Sequence, residues 1–95
     1  MGKDWQFEVY FLPDSRYGGR GMLQELRKLL QQRLGENYEL MEIDVGAAPE
    51  QAEANRVVAI PTLIRRRPLP ECRYLGAIDA AKLDCLLELP TQELQ

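Results

Sequence analysis

Few residues in this chain are equipped to do chemistry. Its 95 residues include two cysteines, Cys72 and Cys85, and no histidine. The cysteines stand thirteen positions apart, which is neither the Cys-x-x-Cys spacing of a dithiol redox centre nor half of a zinc site. Losing histidine removes the commonest general base and the commonest metal ligand together. Both cysteines therefore read most simply as small apolar residues. Glu50 and Glu53 lie one helical turn apart on an expected exposed face, where they solubilise. The glycine-rich stretch DSRYGGRG, residues 14–21, invites comparison with a phosphate cradle at a helix start. A P-loop, however, places Lys and then Ser or Thr after its last glycine, and here Met22 and Leu23 follow. A flexible turn is the simpler reading. The run Arg65-Arg66-Arg67 is either a contact surface for an acidic partner or a solvated strand end.

The elements that must position these residues follow from periodicity. Phe7–Leu12, FEVYFL, is aromatic and branched and stops at Pro13-Asp14, as a strand does. From Met22 to Leu34, apolar residues recur at Met22, Leu23, Leu26, Leu29, Leu30 and Leu34, the pattern of a helix with one buried stripe. Gly35 closes it. Tyr38–Val45 reads as a second strand ended by Gly46. Pro49 opens a short helix that packs Ala52 and runs to about Arg56, since proline suits a first helical turn. The stretch VVAIPTLI, residues 57–64, holds a proline that the interior of a central strand would exclude. Its strand therefore begins at Pro61 and runs through Thr62-Leu63-Ile64. Arg65–Arg67 and Pro68-Leu69-Pro70 then form a basic, rigid connection. Cys72–Leu75 is a short strand ending at Gly76. Asp79 caps a last helix bearing Leu83, Leu86 and Leu87 and ended by Pro90. The tail 91–95 is expected to fray.

Composition bounds the remaining possibilities. A chain of this length holds one domain, 1–95, with one core. A net charge of −3 and a pI near 4.9 argue against a nucleic-acid binder, which carries a basic excess. No apolar run approaches the ~18 residues that span a bilayer, and MGKDWQFEVYF lacks the layout of a signal peptide. A soluble, cytoplasmic protein is the expectation, with no cofactor or metal.

The order β-α-β-α-β-β-α, with a parallel first crossover, is that of a thioredoxin-like α/β three-layer sandwich. Ile-Pro-Thr entering a strand is how such domains present a cis-proline, so the Ile60–Pro61 bond is expected to be cis. A thioredoxin-type enzyme needs a thiolate at the N-terminus of its first helix. Asp14–Gly21 contains no cysteine, and Ser15 has no base near it in sequence. The redox reading fails on these residues.

The set Ile43-Asp44-Val45, Pro49, Ala52-Glu53, Val58-Ala59-Ile60-Pro61-Thr62-Leu63, Pro68-Leu69-Pro70, Arg73 and Gly76 resembles the KaiB family. That family comprises the circadian-clock protein KaiB and the KaiB-like sensory domain of the histidine kinase SasA. The likeness extends from about Phe7 to Leu89. Ile-Pro-Thr-Leu is shared with thioredoxins, whereas its combination with Ile-Asp-Val, Pro-x-x-Ala-Glu and Pro-x-Pro is more specific. Ala77 stands where KaiB commonly has Asp, and the spacing of the last helix and the stretch Ile43-Asp44-Val45-Gly46 fit the SasA sensory domain. The resemblance implies a non-catalytic interaction module that docks on a KaiC-like ATPase, with a KaiA-like protein or a histidine kinase as further partners and homo-oligomers as a known form. It also implies an alternative KaiB ground-state fold with a rearranged C-terminal half. Partner contacts are expected at Arg65, the family's basic residue after Pro-Thr-Leu-x, and at Arg73. A detached sensory domain of a kinase and a degenerate thiol oxidoreductase are the competing readings.

Overall fold

The computed structural model describes residues 3–88. Its elements are β1 (Trp5–Phe11), α1 (Arg20–Leu34), β2 (Tyr38–Asp44), α2 (Pro49–Ala54), β3 (Thr62–Arg67), β4 (Cys72–Leu75) and α3 (Ala80–Leu86). The four strands form one sheet in the order β2-β1-β3-β4. β1 and β2 are parallel, while β3 is antiparallel to both β1 and β4. This is the thioredoxin-like arrangement expected from the element order.

Strand alternation sorts the core into two layers. Phe7, Val9 and Phe11 of β1 and Leu63 of β3 point to one face, where Leu23, Leu26 and Leu30 of α1 and Leu83 and Leu86 of α3 cover them. Tyr10, Ile43 and Ile64 point to the other, under Ala52 of α2. The apolar stripe of α1 is what the sequence shows, and truncating a fully buried leucine such as Leu26 to Ala costs about 2–5 kcal/mol. α2 is only six residues long, so it covers one end of its face and leaves the other open.

Boundaries differ from expectation in instructive places. α1 begins at Arg20 rather than Met22 because Arg20 and Gly21 complete its first turn without contributing an apolar residue. Its C-cap is Gly35 at φ +61°, a conformation that favours glycine. α2 stops at Ala54, and Arg56 turns the chain with a φ of +56°. Arg65–Arg67 are not a connection: they continue β3, paired with Phe7 and Gln6 of β1 and Cys72 of β4. Asp79 caps α3, its Oδ1 accepting from Lys82 N at 2.9 Å. Leu87 lies just past α3 at its C-cap. Pro90 and the tail 91–95 lie outside the described residues. The Ile60–Pro61, Arg67–Pro68 and Leu69–Pro70 bonds are all cis.

Candidate interaction surface

The loop that would hold a redox thiol in a thioredoxin-like enzyme is filled by Pro13–Gly19. Ser15 accepts a hydrogen bond from Gly18 N at 3.1 Å, which commits its hydroxyl oxygen to the turn. Gly18 rests on the Ile60–Pro61 corner. A Cβ there would come within 2.5 Å of Ile60 Cγ2 and 3.0 Å of Pro61 N, so only glycine permits this approach. Both cysteines are free, Cys72 half-buried on β4 and Cys85 exposed on α3. No group of three or more potential metal-ligating side chains gathers among the described residues.

Most residues of the sequence motif hold the fold. Ile43 and Ala52 pack together beneath α2, with Val45 against them. Asp44 accepts from Gly46 N at 2.8 Å and Ala47 N at 3.3 Å, closing the turn after β2. Pro49 is the first residue of α2, and Glu53 faces solvent. Pro61 and Leu63 are buried, and Thr62 donates its hydroxyl to Ala59 O at 2.7 Å. Pro68 and Pro70 shape the β3–β4 connection, and Gly76 takes a φ of +88° after β4.

The two arginines expected at a partner surface separate completely. Arg65 is 0% exposed, and this corrects its assignment to the interface. It lies on the α1/α3 face of β3, where Nη1 donates to Leu86 O at 2.6 Å and Glu88 O at 2.9 Å, and Nη2 to Pro70 O at 2.8 Å. Arg73 lies on the opposite face and is exposed. Its guanidinium donates to Asn55 O at 3.0 Å and Arg56 O at 3.3 Å, meeting the negative end of α2. Leu75, on the same face of β4, is 48% exposed, and Val58, two residues beyond Arg56, is 81% exposed. β4 is also an outer strand of the sheet. The result is an outer edge that, among the described residues, pairs with no further strand; it carries Arg73 and Leu75 and is flanked by the segment Arg56–Val58.

A polar network that sequence reasoning missed lies beside this edge. The pairing of β1 with β3 shifts register between Gln6 and Phe7, leaving Arg66 as the extra residue of a bulge. Its guanidinium reaches Glu8 Oε1 at 2.8 Å, Asn55 Oδ1 at 2.6 Å and Glu71 Oε2 at 2.5 Å. The hydrogen bond to Glu8, followed by that to Glu71, raises its pKa against the opposing effect of burial. Tyr10 donates its hydroxyl to Glu8 at 3.2 Å, and burial, then the Glu8 charge, pushes its pKa up. A shallow depression of about 360 Å³, lined by Gln6, Glu8, Glu39, Met41 and Arg66 among others, occupies the part of the sheet that α2 leaves open. Among the described residues that line it, the one cation, Arg66, is already paired to carboxylates.

Comparison with known proteins places this geometry. The KaiB domain family matches residues 15–89. The chain is 36% identical over 74 residues to the circadian clock oscillator protein KaiB of Synechococcus elongatus, covering 77% of this chain and 72% of that protein. It is 37% identical over 49 residues to the circadian clock protein KaiB3 of Synechocystis sp., covering 52% of this chain and 48% of KaiB3; that match therefore spans about half the length of the relative. In fold alone, it resembles the N-terminal domain of Synechococcus elongatus SasA, with a TM-score of 0.68 and 17% identity over 92% of this chain and 82% of that one. It also resembles thioredoxin-2 of a malaria parasite, with a TM-score of 0.76 and 19% identity over 92% and 84% of the respective chains. The chain belongs to the KaiB family.

Proposed function

We propose that this protein is a non-catalytic interaction module that docks on a KaiC-type ATPase in circadian or related signalling. The observation that carries the proposal is the KaiB family match across residues 15–89. The surface geometry supports it. At the β4 edge, Arg73 stands on the same face as the exposed Leu75, and its hydrogen bond to Arg56 O brings the segment that carries the exposed Val58 to the same edge. Apolar anchors give such a contact its affinity, and flanking charge speeds encounter with an acidic partner surface. An outer strand also offers unpaired backbone groups to a partner. Arg73 is the residue assigned to this contact.

The likeness in fold to the SasA N-terminal domain favours a second reading within the same class, a sensory domain that recruits a kinase to the same ATPase. A KaiA-like protein is a further candidate partner. A single domain over residues 1–95, acting in the cytoplasm, is the setting this reading assumes. Among the described residues, no helix is long and apolar enough to cross a membrane. A degenerate thiol oxidoreductase is the alternative to exclude. The test is a pull-down and titration of the full chain against the KaiC-type ATPase of the same genome, run beside an insulin-reduction assay. Saturable binding without thiol turnover supports the proposal. Sustained turnover abolished by Cys72→Ser, with no binding, would replace it by the oxidoreductase reading.

A further inference from the structure

Arg65 presents an edge that is half used. Through Nε and Nη2 together, an arginine grips two oxygens side-on. Two arginines of this chain do so: Arg27 holds Glu42 at 2.6 Å through both nitrogens, and Arg33 holds Asp84 at 2.6 and 3.4 Å. On Arg65 the same edge meets one oxygen, with Nη2 donating to Pro70 O at 2.8 Å. Its Nε is buried and has no partner among the described residues. A buried donor left unpaired is costly, the more so on a cation. A thiol stands at this edge. Cys72 is directly opposite Arg65 in the β3–β4 ladder, and opposed side chains share a face with their Cβ atoms about 4.5–5.5 Å apart. Its Sγ donates to the same Pro70 O at 3.5 Å, so sulfur and guanidinium meet at one carbonyl. Cys72 is only half-buried, which lets a small oxidant reach Sγ. Partial exposure beside a fixed cation is the setting of cysteines that oxidise selectively.

We propose that Cys72 is a peroxide-oxidisable thiol whose oxidised form is held by Arg65. In the step, Sγ attacks the terminal oxygen of a hydroperoxide. An S–O bond forms, the O–O bond breaks, and sulfur gives two electrons to the peroxide. The thiol proton leaves with the departing oxygen as water or an alcohol, and the product is a sulfenic acid. Its new oxygen is the second acceptor for the Arg65 edge, so that Nε and Nη2 are both paired. The bond to Nε is charge-assisted, and it favours this first oxidation product at Cys72. The event occurs once per molecule and is not a turnover, which separates it from the oxidoreductase alternative. It does not depend on docking to an ATPase.

Two readouts on the full chain test it. The reduced protein is exposed to hydrogen peroxide for a series of times and the peroxide is quenched. The chain is then unfolded in dimedone, which traps sulfenic acids at both cysteines without bias from burial, and mass spectrometry locates the label. Cys72 should oxidise about tenfold or more faster than Cys85, the exposed thiol of the same molecule. In parallel, the Arg65 Nε–H resonance is followed by heteronuclear NMR in folded, untrapped samples. As Cys72 is oxidised this resonance should shift, and its exchange with water should slow about threefold or more. In peroxide-treated Cys72→Ser it should not move. Oxidation of Cys85 as fast as Cys72 would overturn the proposal. So would an Nε–H that stays unmoved while Cys72 is oxidised, as when an ordered water already accepts from it.

Discussion

Arg66 donates to Glu8 on the adjacent strand at 2.8 Å, and the two side chains are only 23% and 18% exposed. The pair exists because a bulge opposite Gln6 and Phe7 frees Arg66 from the regular ladder, turning its guanidinium across the open part of the sheet. There it joins β1, the end of α2 through Asn55, and the start of β4 through Glu71. Arg66→Ala leaves Glu8 half-buried without its cation. The expected loss is about 1–3 kcal/mol in urea unfolding at neutral pH. A loss below about 0.5 kcal/mol would mean that the network is no more than a solvated surface pair.

Arg65 and Arg73 should respond very differently to charge reversal. Arg65→Glu sets a carboxylate against three carbonyl oxygens in a buried site, and a loss of about 3–5 kcal/mol is expected. Arg73→Glu removes an exposed contact to the end of α2 and should cost about 1 kcal/mol or less. Comparing the two urea midpoints checks this. Equal sensitivity would contradict the burial of Arg65.

Gly18→Ala tests the packing of the loop in the redox position. Its Cβ would meet Ile60 Cγ2 at 2.5 Å and the Pro61 backbone nitrogen at 3.0 Å, so the loop must shift. A loss of about 1–3 kcal/mol is expected, measured by thermal or urea unfolding. A neutral result would show that the loop is free to move off Pro61.

Acid should act on the α1–α3 tie through Asp84. The hydrogen bond from Arg33 holds its carboxyl below the ordinary value of 3.8. A carboxyl depressed in the folded state contributes stability that is present above its unfolded value and lost as pH falls through its folded value. The stability difference between wild type and Asp84→Asn should therefore hold constant from neutral pH to about the ordinary carboxyl value, then close on further acidification. Urea midpoints at a series of pH values would show it. A gap that widens on acidification would contradict the pairing.

Elements were legible in the sequence wherever one chain segment carried its own signal. The stripe Leu23, Leu26, Leu30 announces α1, Asp79 announces the start of α3, and Pro61 marks the entry to β3. The surface was less legible because charge in a sequence carries no direction. Arg65 looked like an exposed contact residue, yet its acceptors come from positions 5, 21 and 23 residues further along the chain. Arg66 takes its main carboxylate from a strand 58 residues away, through a bulge that no local pattern reports. Of the two arginines assigned to a partner surface, only Arg73 is exposed, because its face of β4 lies at the sheet edge.

The most direct measurement is the affinity of the full chain for the KaiC-type ATPase of its own genome, titrated at low and at physiological salt. Saturable binding is predicted, and Arg73→Glu should weaken it about tenfold or more and flatten its salt dependence. Arg73→Gln should fall between, with both variants still folded at the assay temperature. Binding of folded Arg73→Glu with wild-type affinity at low salt would remove Arg73 from the interface. No binding by the wild type at concentrations up to about 100 μM, weaker than roughly −5.5 kcal/mol, would contradict docking on such an ATPase altogether.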